Sequence, residues 1–268
     1  MRVMSFVTAP DGVRLHYELE GEGPPLLLHL GAGCDSDLWR AAGYVEPLAK
    51  QYQCILFDHR GHGASDRPRE VAANHIDRFV DDVGALLDHL RLDSVHFWGW
   101  SNAMFVACAV AERLPTRVRS LILGGAVARP VDAATLKVAA DKRVQDLRRD
   151  GWDWLINAFA AEEGECPDWM KDRIRATDLE QLMLWQRARV DWKVTPWDLV
   201  VKAKPPSLLL VGDLEDEEHL MTEVAAEMKD ATEIRFEGVG HIKAFLASDR
   251  VLPHVETFLA KHSAKRLS

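Results

Sequence analysis

Residues 94–105, SVHFWGWSNAMF, contain the pattern Gly99-Trp100-Ser101-Asn102-Ala103. The run VHFWGW is typical of a buried strand, and residues 102–113, apolar on nearly all sides, predict a buried helix. A serine between a strand and a helix in a G-x-S-x-G pattern marks an exposed nucleophile, although Ala103 here replaces the last glycine. Ser101 is therefore the candidate nucleophile. The competing interpretation is an ordinary helix N-cap, a position that serine favours.

Further apolar runs of strand length lie on both sides of this segment. With the run at 95–100, they cover residues 25–30, 54–58, 120–125, 207–212 and 233–238. Most are continuously apolar, as expected of parallel strands that helices cover on both faces. The runs SFVTA and VRLHYEL flank the turn Pro10-Asp11-Gly12, which predicts a hairpin. Eight strands are therefore expected, together with an amphipathic helix at about 75–90.

Residues 130–200 interrupt this alternation of strands and helices. They lack strand-like runs, are charged and helix-prone, and hold six of the nine tryptophans. Helical patterns at about 217–229 and 242–260 accompany the last two strands. The order predicts an α/β fold with a central, mostly parallel eight-stranded sheet flanked by helices. In this prediction residues 1–129 and 201–268 form the core domain, and residues 130–200 form an inserted helical cap.

Composition excludes several classes of protein. The 268 residues are 47% hydrophobic and 28% charged, as in globular proteins, and the net charge of −9 argues against nucleic-acid binding. The four cysteines show no spacing typical of disulfide frameworks or metal sites, which favours a reducing cytoplasm. The N-terminal residues lack the apolar stretch of a signal peptide, and the longest apolar runs are too short to span a membrane.

Polar residues follow several of the predicted strands, where ligands bind in open α/β sheets. Ser101 follows the fifth strand, the acidic loop 213–218 follows the seventh, and Gly240-His241 follows the eighth. This order resembles the α/β-hydrolase superfamily over nearly the whole chain outside residues 130–200. The resemblance implies a nucleophile at Ser101 and a general base at His241, because imidazole titrates near neutral pH.

The acidic member of such a triad has two candidates. The superfamily pattern G-x-x-D after the seventh strand places the acid three residues beyond Gly212, where this chain has Glu215. Glutamate can orient an imidazole as aspartate does, although it reaches one methylene further. Asp216 is the alternative and requires a shift of one residue in the loop. We favour Glu215.

An oxyanion hole requires two backbone N–H groups directed at the developing negative charge. The resemblance implies that Asn102, the residue after the nucleophile, supplies one of them. The loop after the third strand supplies the other, and counting back from Trp39 assigns it to Ala32, with Gly31 as the alternative. His29 stands one position earlier than the usual His-Gly pair of the superfamily.

The chain offers little evidence for a metal or a cofactor. His59 and His62, in DHRGHG, have a spacing that could suggest a metal site, but no HExxH pattern or cysteine cluster supports it. Phosphate-binding glycine patterns are absent as well, so we expect no metal and no cofactor.

The resemblance implies an esterase-like or lactonase-like serine hydrolase that acts on an ester or lactone of a small, mainly apolar substrate. We expect a small-molecule substrate and no nucleic-acid or membrane partner; a homo-oligomer stays open. The same fold and triad also allow C–C bond hydrolysis, lyase chemistry, and perhydrolase or oxygenase chemistry. A non-catalytic ligand-binding homologue is a further alternative, against which the joint presence of Ser101, an acid and His241 argues.

Overall fold

One sheet of eight strands forms the centre of the structure, a computed structural model that describes residues 4–125, 127–192 and 195–263. The strands are β1 Ser5–Thr8, β2 Arg14–Glu20, β3 Pro25–His29, β4 Gln53–Phe57, β5 Val95–Trp100, β6 Val118–Gly124, β7 Ser207–Gly212 and β8 Ala231–Phe236. Their order in the sheet is β1-β2-β4-β3-β5-β6-β7-β8. Strand β2 runs antiparallel to both of its neighbours, and all the other pairings are parallel.

Helices connect these strands and cover the sheet. They are α1 Leu38–Ala41, α2 Val45–Leu48, α3 Ile76–His89, α4 Ala103–Arg113, α5 Ala133–Asp150, α6 Trp152–Glu163, α7 Asp168–Arg175, α8 Leu179–Ala188, α9 Pro196–Val201, α10 Leu220–Glu227, α11 His241–Leu246 and α12 Ser248–Ser263. None of the described helices is both long enough and apolar enough to cross a membrane.

The apolar runs of the sequence became the buried strands of the sheet. Every residue of β3, β5 and β7 is buried, because helices pack on both faces of the sheet. Removing one leucine side chain from water in this way stabilises the fold by about 2 kcal/mol. Helix α4 is buried along residues 103–111, as its uniformly apolar sequence predicts. The predicted fold class and the hairpin of β1 and β2 are confirmed.

Two of the predicted helices have different boundaries in the structure. The pattern at 242–260 forms two helices, α11 and α12, because Ala247 leaves the helical conformation with φ −82° and ψ 52°. The pattern at 217–229 forms the shorter helix α10. His219 precedes this helix in the left-handed conformation, at φ 57°.

Helices α5 to α9 lie between β6 and β7 in the sequence. We call residues 133–201 the helical insertion. Its described residues form no strand, and α5 and α8 pack against each other. The insertion contacts the sheet domain through α6, which packs on α11, and through α9, which packs on α4. It thus lies against the helices that follow β5 and β8.

Candidate active site

Ser101 lies on a sharp turn between β5 and α4. Its φ is 60°, a left-handed conformation that residues with a side chain rarely adopt and that costs roughly 1–2 kcal/mol. Two hydrogen bonds hold the turn: the Ser101 N–H donates to the Gly124 carbonyl at 2.7 Å, and the Met104 N–H donates to the Ser101 carbonyl at 2.9 Å. Strain of this kind is typical of functional positions that the surrounding structure over-determines.

The residues on either side of the turn explain why alanine is tolerated at position 103. A Cβ atom on Gly99 would lie 2.5 Å from the Ala103 carbonyl oxygen, so position 99 has no room for a side chain. Ala103 itself is buried at 1% exposure, and its methyl group packs within the core. The close approach of strand and helix therefore requires glycine at 99 rather than at 103.

His241 and Glu215 are in direct contact. The Nδ1 atom of His241 lies 2.7 Å from Oε1 of Glu215, and both side chains are largely buried. A carboxylate can only accept, so this contact favours the tautomer with the proton on Nδ1 and leaves Nε2 free to act as a base. Burial of the ring is the largest single effect and opposes its charged form, but the carboxylates of Glu215, Glu162 and Glu163 together outweigh it and raise the pKa of His241 above 6.5.

Asp216, the alternative acid, has other partners. Its carboxylate accepts from the backbone N–H groups of Leu220 and Met221 and pairs with Nη1 of Arg235 at 2.8 Å. The side chain is fully buried. It therefore holds the beginning of α10 against β8. Of the two candidate acids, the structure brings Glu215 to His241.

A cavity of about 440 Å³ joins these residues. Ser101, Asn102, Ala32, Glu215 and His241 all line it, and so do residues of α5, α6, α7 and α8 in the helical insertion. Its size is typical of a site for a small organic ligand. Among the described residues the Ser101 hydroxyl has no hydrogen-bond partner. The hydrogen bond between a nucleophilic hydroxyl and its general base often forms only when substrate is bound.

The loop after β3 runs beside the nucleophile. A Cβ atom on Gly31 would lie 2.7 Å from the Asn102 nitrogen and 3.0 Å from Ser101 Oγ, so only glycine permits this approach. Within the described ranges, the backbone N–H groups of Ala32 and Asn102 have no hydrogen-bond acceptor. Both residues line the cavity, where such unpaired donors can stabilise a negatively charged oxygen.

His62 supports this loop, a role that the sequence analysis missed. Its Nε2 accepts the Gly33 N–H at 3.2 Å. Its ring lies 3.9 Å from that of His59, which in turn lies 4.9 Å from that of His29. Burial lowers the pKa of His29 to about 3 and that of His62 to about 4, so these rings are neutral. No described group of histidines, cysteines and carboxylates has the arrangement of a metal site.

Two consecutive glutamates of α6 hold the loop that carries His241, and no sequence pattern indicated this role. Glu163 accepts the N–H groups of Gly240, Ile242 and Lys243 at 2.7–2.9 Å. Glu162 accepts the N–H of His241 itself at 3.2 Å. These carboxylates lie at the beginning of α11, where its backbone N–H groups lack partners within the helix.

Phe159, one turn before these glutamates in α6, stacks on the ring of His241. The two ring centroids are 4.8 Å apart and the planes differ by 9°. The imidazole is thus held between an aromatic ring of the helical insertion and the carboxylate of Glu215. The insertion fixes both the backbone and the side chain of His241.

We expect Glu163→Ala to weaken the site and the fold together. The change leaves three backbone N–H groups without an acceptor, which should lower the free energy of unfolding by about 1–3 kcal/mol. The rate per folded molecule should fall severalfold because the His241 loop loses its support. Thermal unfolding and ester hydrolysis measure the two effects. Glu165→Ala, which removes an exposed carboxylate paired with Lys171, is the matched control. Equal unfolding temperatures and rates in the two variants would contradict this account.

Curated relatives match this chain either over part of its length or over nearly all of it. Haloalkane dehalogenase 2 of Mycobacterium tuberculosis is 34% identical over 124 residues, which are 46% of this chain and 42% of that protein. The chain thus spans about two fifths of the length of the curated relatives that it matches at this level. The cis-3-alkyl-4-alkyloxetan-2-one decarboxylase of Shewanella oneidensis is 26% identical over 94% of this chain and 86% of its own length.

Solved structures share the fold over nearly the whole chain. An esterase from Thermogutta terrifontis has a TM-score of 0.81 and 24% identity, covering 98% of this chain and 100% of that one. The enol-lactonase from Burkholderia xenovorans LB400 has a TM-score of 0.77 and 23% identity, covering 96% of this chain and 100% of that one. A family model described as alpha/beta hydrolase fold matches residues 24–245. The chain therefore belongs to the α/β-hydrolase family.

Proposed function

We propose that this protein is a cofactor-free serine hydrolase that cleaves an ester or lactone of a small, mainly apolar molecule. The nucleophile is Ser101, the general base is His241, and Glu215 orients the base. The observation that carries the proposal is the cavity that Ser101, on its strained turn, shares with the hydrogen-bonded pair of His241 and Glu215. Esterase and lactonase activities among proteins of the same fold agree with it.

The reaction proceeds through an acyl-enzyme. Nε2 of His241 takes the Ser101 proton as Oγ attacks the ester carbonyl, and Glu215 stabilises the imidazolium that forms. The N–H groups of Asn102 and Ala32 hold the oxyanion of the tetrahedral intermediate. His241 then returns the proton to the departing alkoxide. Water, deprotonated by the same histidine, attacks the acyl group, and the acid leaves as Ser101 regains its proton.

The cap of this site comprises residues 130–200, nearly all of which lie in the helical insertion, and residues 1–129 and 201–268 form the core. Apolar side chains of α6, α7 and α8 that line the cavity support a mainly apolar substrate; they include Trp154, Leu155, Met170, Ile174 and Leu182. The partner is a small molecule. The four cysteines, all unpaired, suit the cytoplasm.

A fluorophosphonate probe and a panel of esters, lactones and thioesters test the proposal. We expect the probe to label Ser101 covalently, because it traps a serine whose proton a neighbouring base removes. Mass spectrometry of the digested protein locates the label. Absence of labelling and of turnover across the panel would refute the proposal and favour the non-catalytic alternative.

The decarboxylase relative favours one second candidate function, lyase chemistry on a lactone. Its name describes an oxetan-2-one, a four-membered lactone, and the similarity extends over 94% of this chain. A disubstituted oxetan-2-one in the same panel separates the two reactions. Hydrolysis yields a 3-hydroxy acid, whereas the lyase reaction yields carbon dioxide and an alkene.

A further inference from the structure

We infer that the catalytic cavity contains a subsite for a carboxylate group of the substrate, formed by Arg143 and Arg189 of the helical insertion. The inference rests on the proposed function, since it names the substrate class of the same site. In this view the substrate is a small ester or lactone that also carries a carboxylate away from the bond that is cleaved.

Arg189, directly after α8, lines the cavity and lacks an anionic partner. Its guanidinium carbon lies 5.0 Å from the ring centroid of Phe105 and 5.7 Å from that of Trp192. Its Nε is buried and has no hydrogen-bond partner among the described residues. Burial, followed by the positive charge of Arg143, lowers the pKa of Arg189 to about 10, so the group still carries its charge at neutral pH.

Arg143, in α5, is the second cation of this region. Its guanidinium carbon lies 5.9 Å from the ring centroid of Trp154, and its Nη1 reaches Oε1 of Gln186 only at 3.5 Å. This partner is neutral and the hydrogen bond is long. Arg143 lines the cavity and is exposed, so its remaining N–H groups are open to a ligand.

No carboxylate of the described chain neutralises these two arginines. Among residues 4–125, 127–192 and 195–263, no aspartate or glutamate pairs with either, and the residues outside these ranges include neither type. Arg129, a third arginine at the cavity, pairs with Glu218. Two neighbouring guanidinium groups with only aromatic and amide partners repel each other, and an anion between them removes that cost.

The chemistry of guanidinium selects the class of ligand. Its planar, forked N–H groups match the two oxygens of a carboxylate, and stacking on aromatic rings preorganises the group for this geometry. Glu215 and Glu162, the two carboxylates that line the cavity, contact His241 and repel a second anion there. The charges therefore direct the substrate carboxylate to the arginines and leave the neutral carbonyl for Ser101.

The test compares two 4-nitrophenyl esters with acyl chains of equal length. The adipate monoester ends in a carboxylate, and the hexanoate ends in a methyl group. We expect a kcat/KM for the adipate monoester roughly ten- to a hundredfold above that for the hexanoate, after subtraction of the rate without enzyme. The double variant Arg143→Gln/Arg189→Gln should lose this preference, and Arg189→Lys should retain part of it. Arg187→Gln, which neutralises an arginine of α8 that does not line the cavity, should keep the wild-type ratio.

Calorimetry on the Ser101→Ala protein measures binding without turnover. We expect it to bind the adipate monoester at least tenfold more tightly than the hexanoate. Equal affinities, or a ratio that the double variant leaves unchanged, would overturn the carboxylate subsite even if hydrolysis depends on Ser101. Tighter binding of the adipate monoester without any hydrolysis that depends on Ser101 would support the subsite and refute the proposed function instead.

Discussion

Replacement of Ser101 by alanine is expected to lower kcat/KM for a 4-nitrophenyl ester by a factor of about 10⁴ to 10⁶. Without the hydroxyl group no acyl-enzyme can form, and only the oxyanion donors and the cavity remain to assist direct attack by water. The cavity that binds the substrate stays in place, and the hydroxyl group acts only when it attacks the carbonyl. The loss should therefore appear in kcat, while KM changes little. Steady-state kinetics on protein free of wild-type contamination measure the effect.

A matched serine controls for the loss of a hydroxyl group as such. Ser94 lies just before β5, at the end of the strand opposite to Ser101, and its hydroxyl accepts a hydrogen bond from Nε of Arg119. Ser94→Ala should therefore retain wild-type activity. A Ser101→Ala protein that hydrolyses the ester at the wild-type rate would contradict the mechanism, whatever Ser94→Ala does.

The same position carries a cost to stability that can be measured independently. Ser101 adopts a φ of 60°, which glycine adopts without strain. We therefore expect Ser101→Gly to be as inactive as Ser101→Ala but more stable than it by roughly 1 kcal/mol, measured by thermal or denaturant unfolding. Opposite effects on activity and stability at one residue are typical of a strained functional turn.

The chain order of the site could be predicted because it depends on local sequence. The carboxyl ends of parallel strands meet at one edge of the sheet, so Ser101 after β5 and His241 after β8 had to lie on the same side. Counting three residues from Gly212 was enough to reach Glu215, because the loop contains no additional residue. The N–H of Glu215 donates to the Gly212 carbonyl.

The contacts that the helical insertion makes could not be predicted in this way. Glu163 is 77 residues from Gly240 in sequence, and Arg189 meets Phe105 from a helix more than 80 residues away. Nothing in the sequence around these residues fixes how the insertion packs on the sheet domain. Glu162 and Glu163 are indistinguishable in sequence from the solvated carboxylates of any helix end. The motif DHRGHG identifies His62, but its hydrogen bond with Gly33 depends on two loops meeting in space.

Replacement of Glu215 by glutamine is expected to lower kcat by a factor of about 10³ to 10⁴ with little loss of stability. The amide keeps nearly the shape of the carboxylate, but it removes the negative charge that stabilises the imidazolium. Its NH₂ group can also face Nδ1 of His241, which favours the tautomer with the proton on Nε2, the wrong nitrogen for a base. Asp216→Asn should instead lower the free energy of unfolding by roughly 1–3 kcal/mol, through the contact with Arg235, and leave the rate per folded molecule close to wild type.

The pH profile separates a charge effect from a packing effect at Glu215. His241 must be neutral to act as a base, so activity falls as the pH decreases through its pKa. The carboxylates of Glu215, Glu162 and Glu163, with Glu215 contributing most, raise that pKa above 6.5 against the effect of burial, and the acidic limb of the wild-type profile should therefore lie above pH 6.5. In Glu215→Gln the limb of the residual activity should move to lower pH, whereas Asp216→Asn should leave it in place. A limb that moves in Asp216→Asn and not in Glu215→Gln would show that Asp216, and not Glu215, is the acid of the triad.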